Sequence, residues 1–312
     1  MSSRIIGVGA YLPSAVVSNA DLERLSDTTD AWIVGRTGIR TRHRIAEDET
    51  VAEMATAAAR DALRSADIAV DKIGMIVVAS VTPDTVFPSL AVRVQAMLGI
   101  RNAFAFDVRA AGAGFLYALA VADNAVKSGQ TNAALVIGTE AMSRLIDYAD
   151  RSTCALFGDG AGAVVLGRAE DNDESRVIAV DLYSDGRLHD ALYTDKDGHI
   201  KMNGKEVFSF AVDNMSSAVI NLLRRHGYEP SDVRLLITRQ SDERTVKAVA
   251  AKTGIGAEKS VFTMHEYADT LSASIPLALT KAIKNGTITK GDLTVITSMG
   301  SGFAWGASLI GW

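Results

Sequence analysis

Residues 107–120, DVRAAGAGFLYALA, hold the setting of a nucleophile without the nucleophile. A short extended run, 103–108, meets a corner of small residues, Ala110-Ala111-Gly112-Ala113-Gly114, and a long apolar helical pattern begins at Phe115. Such a strand-to-helix corner suits acyl transfer, because the first helical turn presents unpaired N–H groups and the positive end of the dipole. A Ser, Cys or Thr would have to stand there, and none does. The one cysteine, Cys154 in RSTCALFGDG, lies beside an apolar run with no base near it in sequence, the setting of a buried structural thiol. A single cysteine excludes an internal disulfide and a cysteine-based zinc site, and the five histidines (His43, His189, His199, His226, His265) lack metal-ligand spacing. His265, four residues before Asp269, could serve as a base if its loop folds inward, though a surface or capping role is commoner. The glycine clusters AAGAGF and GDGAGAVVLG (158–167) read as tight turns and close backbone approach. The first lacks the Gly-Lys-Ser/Thr of a phosphate loop and the second opens onto a strand.

The elements that must position this corner occur twice. DKIGMIVVASVT (71–82), a helix ending AMLGI (96–100), the corner, a helix ending VKSGQT (126–131) and LVIGTEA (135–141) make up the first series. SDVRLLITRQSD (231–242), AKTGI (251–255), HEYADTLSAS (265–274), IKNGTIT (283–289) and TVITSMGSG (294–302) repeat it in the same order. Landmarks are displaced by 231 − 71 = 160, 255 − 100 = 155 and 283 − 126 = 157 residues. The strand runs are continuously apolar, as strands covered on both faces are. The helix FLYALAVADNAV is apolar nearly all round and belongs between two sheets. The reading is a duplicated α/β/α/β/α layered fold with pseudo-twofold symmetry, halves at 1–170 and 171–312 in one compact body. The corners near Gly112, Asp269 and Arg239 should meet at the axis, where a ligand is expected. Between the halves, 168–208 reads as an irregular crossover with a charged surface turn at 170–176 and a loop, IKMNGKEVF, over the site. A formal charge of −5 argues against a general nucleic-acid binder, and no apolar run approaches a membrane span or a signal layout. A cytoplasmic protein is expected.

DAWIVGRTGIRTRH (30–43), FPSLAVRVQAMLGI (87–100), AFDVRAAGAGF (105–115), RSTCALFGDGAGAVVLG (151–167), IKMNGKEVFSFAV (200–212), SIPLAL (274–279) and GSGFAWGASLI (300–310) together resemble the β-ketoacyl-acyl-carrier-protein synthase III family, of the thiolase fold, over essentially the whole chain. The resemblance implies acyl transfer from coenzyme A to malonyl-carrier protein by decarboxylative condensation, in fatty-acid or polyketide-type biosynthesis. It implies no cofactor beyond the coenzyme A thioester, a carrier-protein partner and a homodimer. It also places the family's cysteine, histidine and asparagine at Gly112, Arg239 and Asp269, so all three catalytic positions differ.

Glycine has no atom to acylate, arginine cannot cycle a proton, and an ionised aspartate accepts where a donor is needed. Condensation is therefore expected to be lost or strongly altered, with Arg239 and Asp269 forming a bidentate ion pair. By resemblance, Trp32 and Arg151 sandwich an adenine, Arg36 and Thr37 meet the phosphates or the pantetheine arm, and Met202, Gly204, Phe208 and Ala211 wall the tunnel. Ser241 and Asp242 complete that set, with Asp242 replacing a pantetheine-contacting asparagine. Gly112 and Ser301 form the oxyanion region, Ser301 in place of a glycine. Phe87 (donated across a dimer), Phe157 and Met299 form the acyl pocket, and Arg244, Lys247 and Lys252 offer a docking patch for an acidic carrier protein. Two alternatives stand beside this reading. One is a non-catalytic subunit that binds carrier protein or pairs with an active synthase; the other is a weak thioester hydrolase or acyltransferase using His265, Ser272 or Ser301.

Overall fold

The computed structural model describes residues 2–170 and 173–312. The first sheet holds β1 (Ser2–Tyr11), β2 (Met75–Ala79), β3 (Phe104–Val108), β4 (Ala133–Ala141) and β5 (Asp159–Ala169), in the spatial order β1-β5-β4-β2-β3. Only β2–β3 and β2–β4 are parallel. The second sheet holds β6 (Arg176–Ser184), β7 (Val233–Thr238), β8 (Leu293–Gly300) and β9 (Ala304–Gly311), in the order β7-β8-β9-β6, with β7–β8 the parallel pair. The pairing pattern repeats strand for strand, and the counterpart of β3 shrinks to one bridge, Leu236 to Ser260.

Among the described residues seven helices have eight or more residues: α1 (Asp30–Thr37), α2 (Val51–Ser65), α3 (Leu90–Leu98), α4 (Gly114–Lys127), α5 (Gly204–His226), α6 (Glu243–Thr253) and α7 (Ser274–Lys284). Phe115, Leu116 and Leu119 of α4 and Ile275 and Leu279 of α7 join Val77 and Val136 of one sheet and Leu235 and Ile296 of the other in a single buried cluster. These two helices are thus the middle layer, which is why α4 is apolar nearly all round. α2 and α3 cover the outer face of the first sheet, α5 and α6 that of the second. With helices on both faces, every residue of β2 and β4 is buried.

The duplication is tighter than the landmarks suggest. The short turns Ala111–Ala113 and Leu271–Ala273, the starts of α4 and α7, and the starts of β4 and β8 give 271 − 111, 274 − 114 and 293 − 133, each 160. The counterpart of Gly112 is therefore Ser272 rather than Asp269. Both turns open on a non-glycine residue with positive φ, Ala111 at 45° and Leu271 at 49°. That region costs an L-residue roughly 1–2 kcal/mol, so the packing around both turns must impose it. The halves approach closely here. A Cβ on Gly138 of β4 would lie 2.2 Å from the Ser272 carbonyl oxygen, so only glycine fits.

The supposed crossover is mostly regular. It contains β6, a full strand of the second sheet, and a hairpin of Leu192–Thr194 with Ile200–Met202. IKMNGKEVF is the last strand of that hairpin followed by the first turn of α5, capped by Asn203, whose side chain accepts from the Glu206 N–H. β6 escaped notice because it is an edge strand, half-buried along most of its length. Of the charged turn 170–176, positions 171 and 172 lie outside the described residues; Asp173 pairs with Arg4 at 2.8 Å.

Candidate functional site

Three chain corners converge where the halves meet. β7 ends at Thr238 and delivers Arg239, whose N–H donates to the Thr297 carbonyl at 3.0 Å. Asp269 precedes the turn into α7 and is clamped by backbone bonds, its N–H to Leu156 O at 2.9 Å and its carbonyl accepting from Gly158 N at 3.1 Å. Gly112 sits in the turn before α4, and its carbonyl accepts from Ser298 Oγ at 2.6 Å.

Arg239 and Asp269 form the expected ion pair. Nη2 meets Oδ2 at 2.6 Å, and Nε lies 3.2 Å from Oδ2 and 3.3 Å from Oδ1. Nη1 donates to the Met299 carbonyl at 2.8 Å. Oδ1 also accepts from Leu271 N at 3.0 Å and Ser274 Oγ at 3.3 Å. With 6% and 2% of their surfaces exposed, neither charge could stay there without the other. Gly112 is pressed beneath this pair. A Cβ built on it would lie 2.4 Å from Met299 O, 2.7 Å from Arg239 Cδ and 2.9 Å from Arg239 Nε.

A cavity of about 530 Å³ leads down to the pair. Trp32, Arg36, Thr37 and Arg151 line it, as do Met202, Gly204, Phe208 and Ala211; Arg239, Asp269 and Met299 line it as well. Ser241, Asp242 and Phe157 also border it. At the Trp32 ring, the guanidinium carbon of Arg151 stands 4.5 Å from the centroid and that of Arg36 5.2 Å. Trp32 and Arg151 therefore stack on each other, and a flat ring entering between them must part them. A second cavity of about 410 Å³, mostly apolar, shares Phe157 and Leu192 with the first and holds Ser301. Gly112 lines neither cavity.

The remaining expected residues have other partners. Phe87 is 83% exposed and borders neither cavity. The docking cations are each matched by an acid: Arg244 with Asp242 at 3.5 Å, Lys247 with Glu243 at 2.5 Å and Lys252 with Asp213 at 2.5 Å. The patch is thus locally neutral rather than a bare basic stripe. Asp242 is the N-cap of α6, its carboxylate accepting from Thr245 N at 3.1 Å and Thr245 Oγ1 at 2.6 Å. His265 does not fold inward. It meets Glu243 at 3.0 Å and stacks on Phe262, while Lys247 and His265 hold the Glu243 carboxyl below its ordinary range. Cys154 is buried, as expected of a structural thiol. The Ser301 hydroxyl is given to the Leu192 carbonyl.

Sequence reasoning passed over Glu140, at the end of β4. It is fully buried, and burial pushes its carboxyl up to about 7 against the pull of hydrogen bonds from Ser272, Thr82, Val81 and Ser80. Ser272 Oγ lies 2.9 Å from the Ala79 carbonyl and 2.7 Å from Glu140 Oε1. A hydroxyl has one proton, so both contacts are satisfied only when Glu140 carries the second. The available signal was a carboxylate closing an otherwise apolar strand, LVIGTEA. Among the described residues, no cluster of His, Cys, Asp and Glu is placed to hold a metal, and no helix is long and apolar enough to cross a membrane.

The sequence profile described as 3-oxoacyl-(acyl carrier protein) synthase III matches residues 106–186, and that of its C-terminal part matches 223–312. The chain is 46% identical to the β-ketoacyl-(acyl carrier protein) synthase III of Rhodospirillum centenum, covering 100% of this chain and 99% of that one. The crystal structure of 3-oxoacyl-(acyl carrier protein) synthase III from Aquifex aeolicus superposes with a TM-score of 0.97 at 45% identity, covering 99% of this chain and 100% of the other. That from Pseudomonas aeruginosa gives 0.95 at 40%, covering 100% and 98%.

Proposed function

The chain belongs to the 3-oxoacyl-(acyl carrier protein) synthase III family and has the thiolase fold, and from that premise we propose a thioester-binding member whose condensation centre is disabled. In this reading Gly112, Arg239 and Asp269 stand in for the family's cysteine, histidine and asparagine. The carrying observation is the buried Arg239–Asp269 pair over a glycine. There is no thiol to accept an acyl group. A guanidinium makes a poor proton shuttle, and the Asp269 carboxylate is consumed by Arg239, Leu271 N and Ser274 Oγ. Decarboxylation needs neutral donors aimed at an enolate oxygen, and an aspartate anion in their place opposes that charge.

The binding apparatus is the part retained. A coenzyme A adenine fits the Trp32–Arg151 stack once opened, Arg36 and Thr37 meet the phosphates or upper arm, and the walls at Met202, Phe208 and Ala211 guide pantetheine inward. An acidic carrier protein docks by exchanging its own carboxylates for those now holding Arg244, Lys247 and Lys252. The working unit is a homodimer of two-half protomers, divided at 170/171, with Phe87 reaching the partner's acyl pocket.

Incubation with acyl-coenzyme A and malonyl-carrier protein should yield no condensation product, and intact-mass measurement no acyl adduct. A stable adduct on any side chain overturns the reading. The triple change Gly112→Cys, Arg239→His and Asp269→Asn tests the retained tunnel. Removing Arg239 frees two of the three contacts at the new Cβ, leaving the Met299 carbonyl at 2.4 Å, so that backbone must retreat before condensation returns.

A further inference from the structure

The larger cavity ends on the buried Arg239–Asp269 pair, which lies over Gly112; the smaller cavity shares Phe157 and Leu192 with it and is lined by Ala110 and Ala111, while Gly112 itself lines neither. From this floor we propose that the larger cavity favours the free thiol of a pantetheine arm, as in unacylated coenzyme A or an unloaded carrier protein, and binds acyl thioesters more weakly the longer the acyl chain. The inference rests on the reading of that cavity as a pantetheine tunnel.

The floor is built from named atoms. Arg239, Asp269 and Met299 face the larger cavity, while Ala110, Ala111 and Leu271 face the smaller. The Arg239 side chain lies across Gly112, with Cδ and Nε 2.7 and 2.9 Å from where a Cβ would stand. It cannot swing aside freely, being tied to Asp269 through Nη2 and Nε and to the Met299 carbonyl through Nη1. The smaller cavity has the lining an acyl chain would prefer, including Val81, Met142, Leu145 and Leu271. A chain arriving from the larger cavity instead meets a buried ion pair. Displacing the pair would strand two charges, and stopping short would press methylenes against them.

A terminal thiol fits this floor better. A guanidinium has five N–H groups; Nε uses one, and Nη1 and Nη2 each spend one of two on the contacts above. Two N–H groups are left without a protein partner among the described residues. They can donate to a sulfur, and a neighbouring cation favours its thiolate form. Arg239 thereby becomes a specificity-determining residue that reads the loading state of the arm.

Isothermal titration of the full chain with coenzyme A, acetyl-coenzyme A and hexanoyl-coenzyme A tests this. Affinity should fall with chain length, hexanoyl-coenzyme A binding at least about tenfold more weakly than coenzyme A. In the double variant Arg239→His, Asp269→Asn, which removes both charges together, that gap should close to within about threefold. Leu145→Trp, which fills the smaller cavity and leaves the pair intact, should not change hexanoyl-coenzyme A affinity. Equal affinity of the unaltered protein for coenzyme A and hexanoyl-coenzyme A overturns the proposal, as does a loss of hexanoyl-coenzyme A affinity on Leu145→Trp. Failure of coenzyme A itself to bind removes the tunnel reading and this inference with it; equal binding of both ligands removes only the inference.

Discussion

Arg239 and Asp269 are two buried charges that reach toward each other. Their shared burial makes each the other's condition. Arg239→Ala leaves a carboxylate buried with only two uncharged donors, and should lower unfolding free energy by about 3–5 kcal/mol in urea titrations. The neutral double variant Arg239→His, Asp269→Asn should recover most of that loss. Glu140 makes a second prediction, in pH. Its folded carboxyl is raised from 4.5 to about 7 by burial, so between those values the folded state holds a proton that the unfolded state has released. Stability is then greatest below pH 4.5 and declines as pH rises to about 7, by ~3 kcal/mol from this group. Glu140→Gln should flatten that slope, and an unchanged slope would show that Glu140 does not carry it. Arg239 and Asp269 were legible from the duplicated corners and from the family resemblance, whereas Glu140 showed only as an oddity at the end of an apolar strand.

At the scale of elements, α6 shows how one substitution can be absorbed by local structure. Asp242 stands where the resemblance places a pantetheine-contacting asparagine, yet its carboxylate caps the helix through Thr245. Both side chains cap well, so Asp242→Asn should keep chemical stability within about 0.5 kcal/mol, whereas Asp242→Ala should cost about 1 kcal/mol. A large loss with Asn would mean that the charge itself holds the mouth of the cavity, through Arg244 at 3.5 Å. The strands and the two central helices were legible because their apolar patterns are long and uniform. β6 and the hairpin before α5 were not, because short or edge strands bury only one face and blend with turn residues. The turn at Leu271 was also invisible: nothing in ADTLSAS announces a leucine at φ 49°.

For the whole molecule, β3 ends the first sheet and leaves Phe104, 38% exposed and stacked on Phe106, beside open backbone. An exposed sheet edge invites pairing with another copy. The homodimer proposed above would use this edge, with Phe87 carried along. Multi-angle light scattering should report a dimer, and Phe104→Asp should shift it toward monomer; a monomeric unaltered protein would remove the shared acyl pocket from the account.

The amino-acid sequence by itself determined the layers, the duplication and the family, because repeated hydrophobic patterns and several long motifs constrain one another. It also determined which side chains are absent from the centre, since no fold can supply a thiol at Gly112. Only the tertiary structure decided what Arg239 and Asp269 do. Arg239 and Asp269 are 30 residues apart and meet because two chain corners are brought to one junction, and the sealing of Gly112 depends on a backbone carbonyl from β8. Contacts between distant corners, and the burial that makes them strong or costly, are properties of packing.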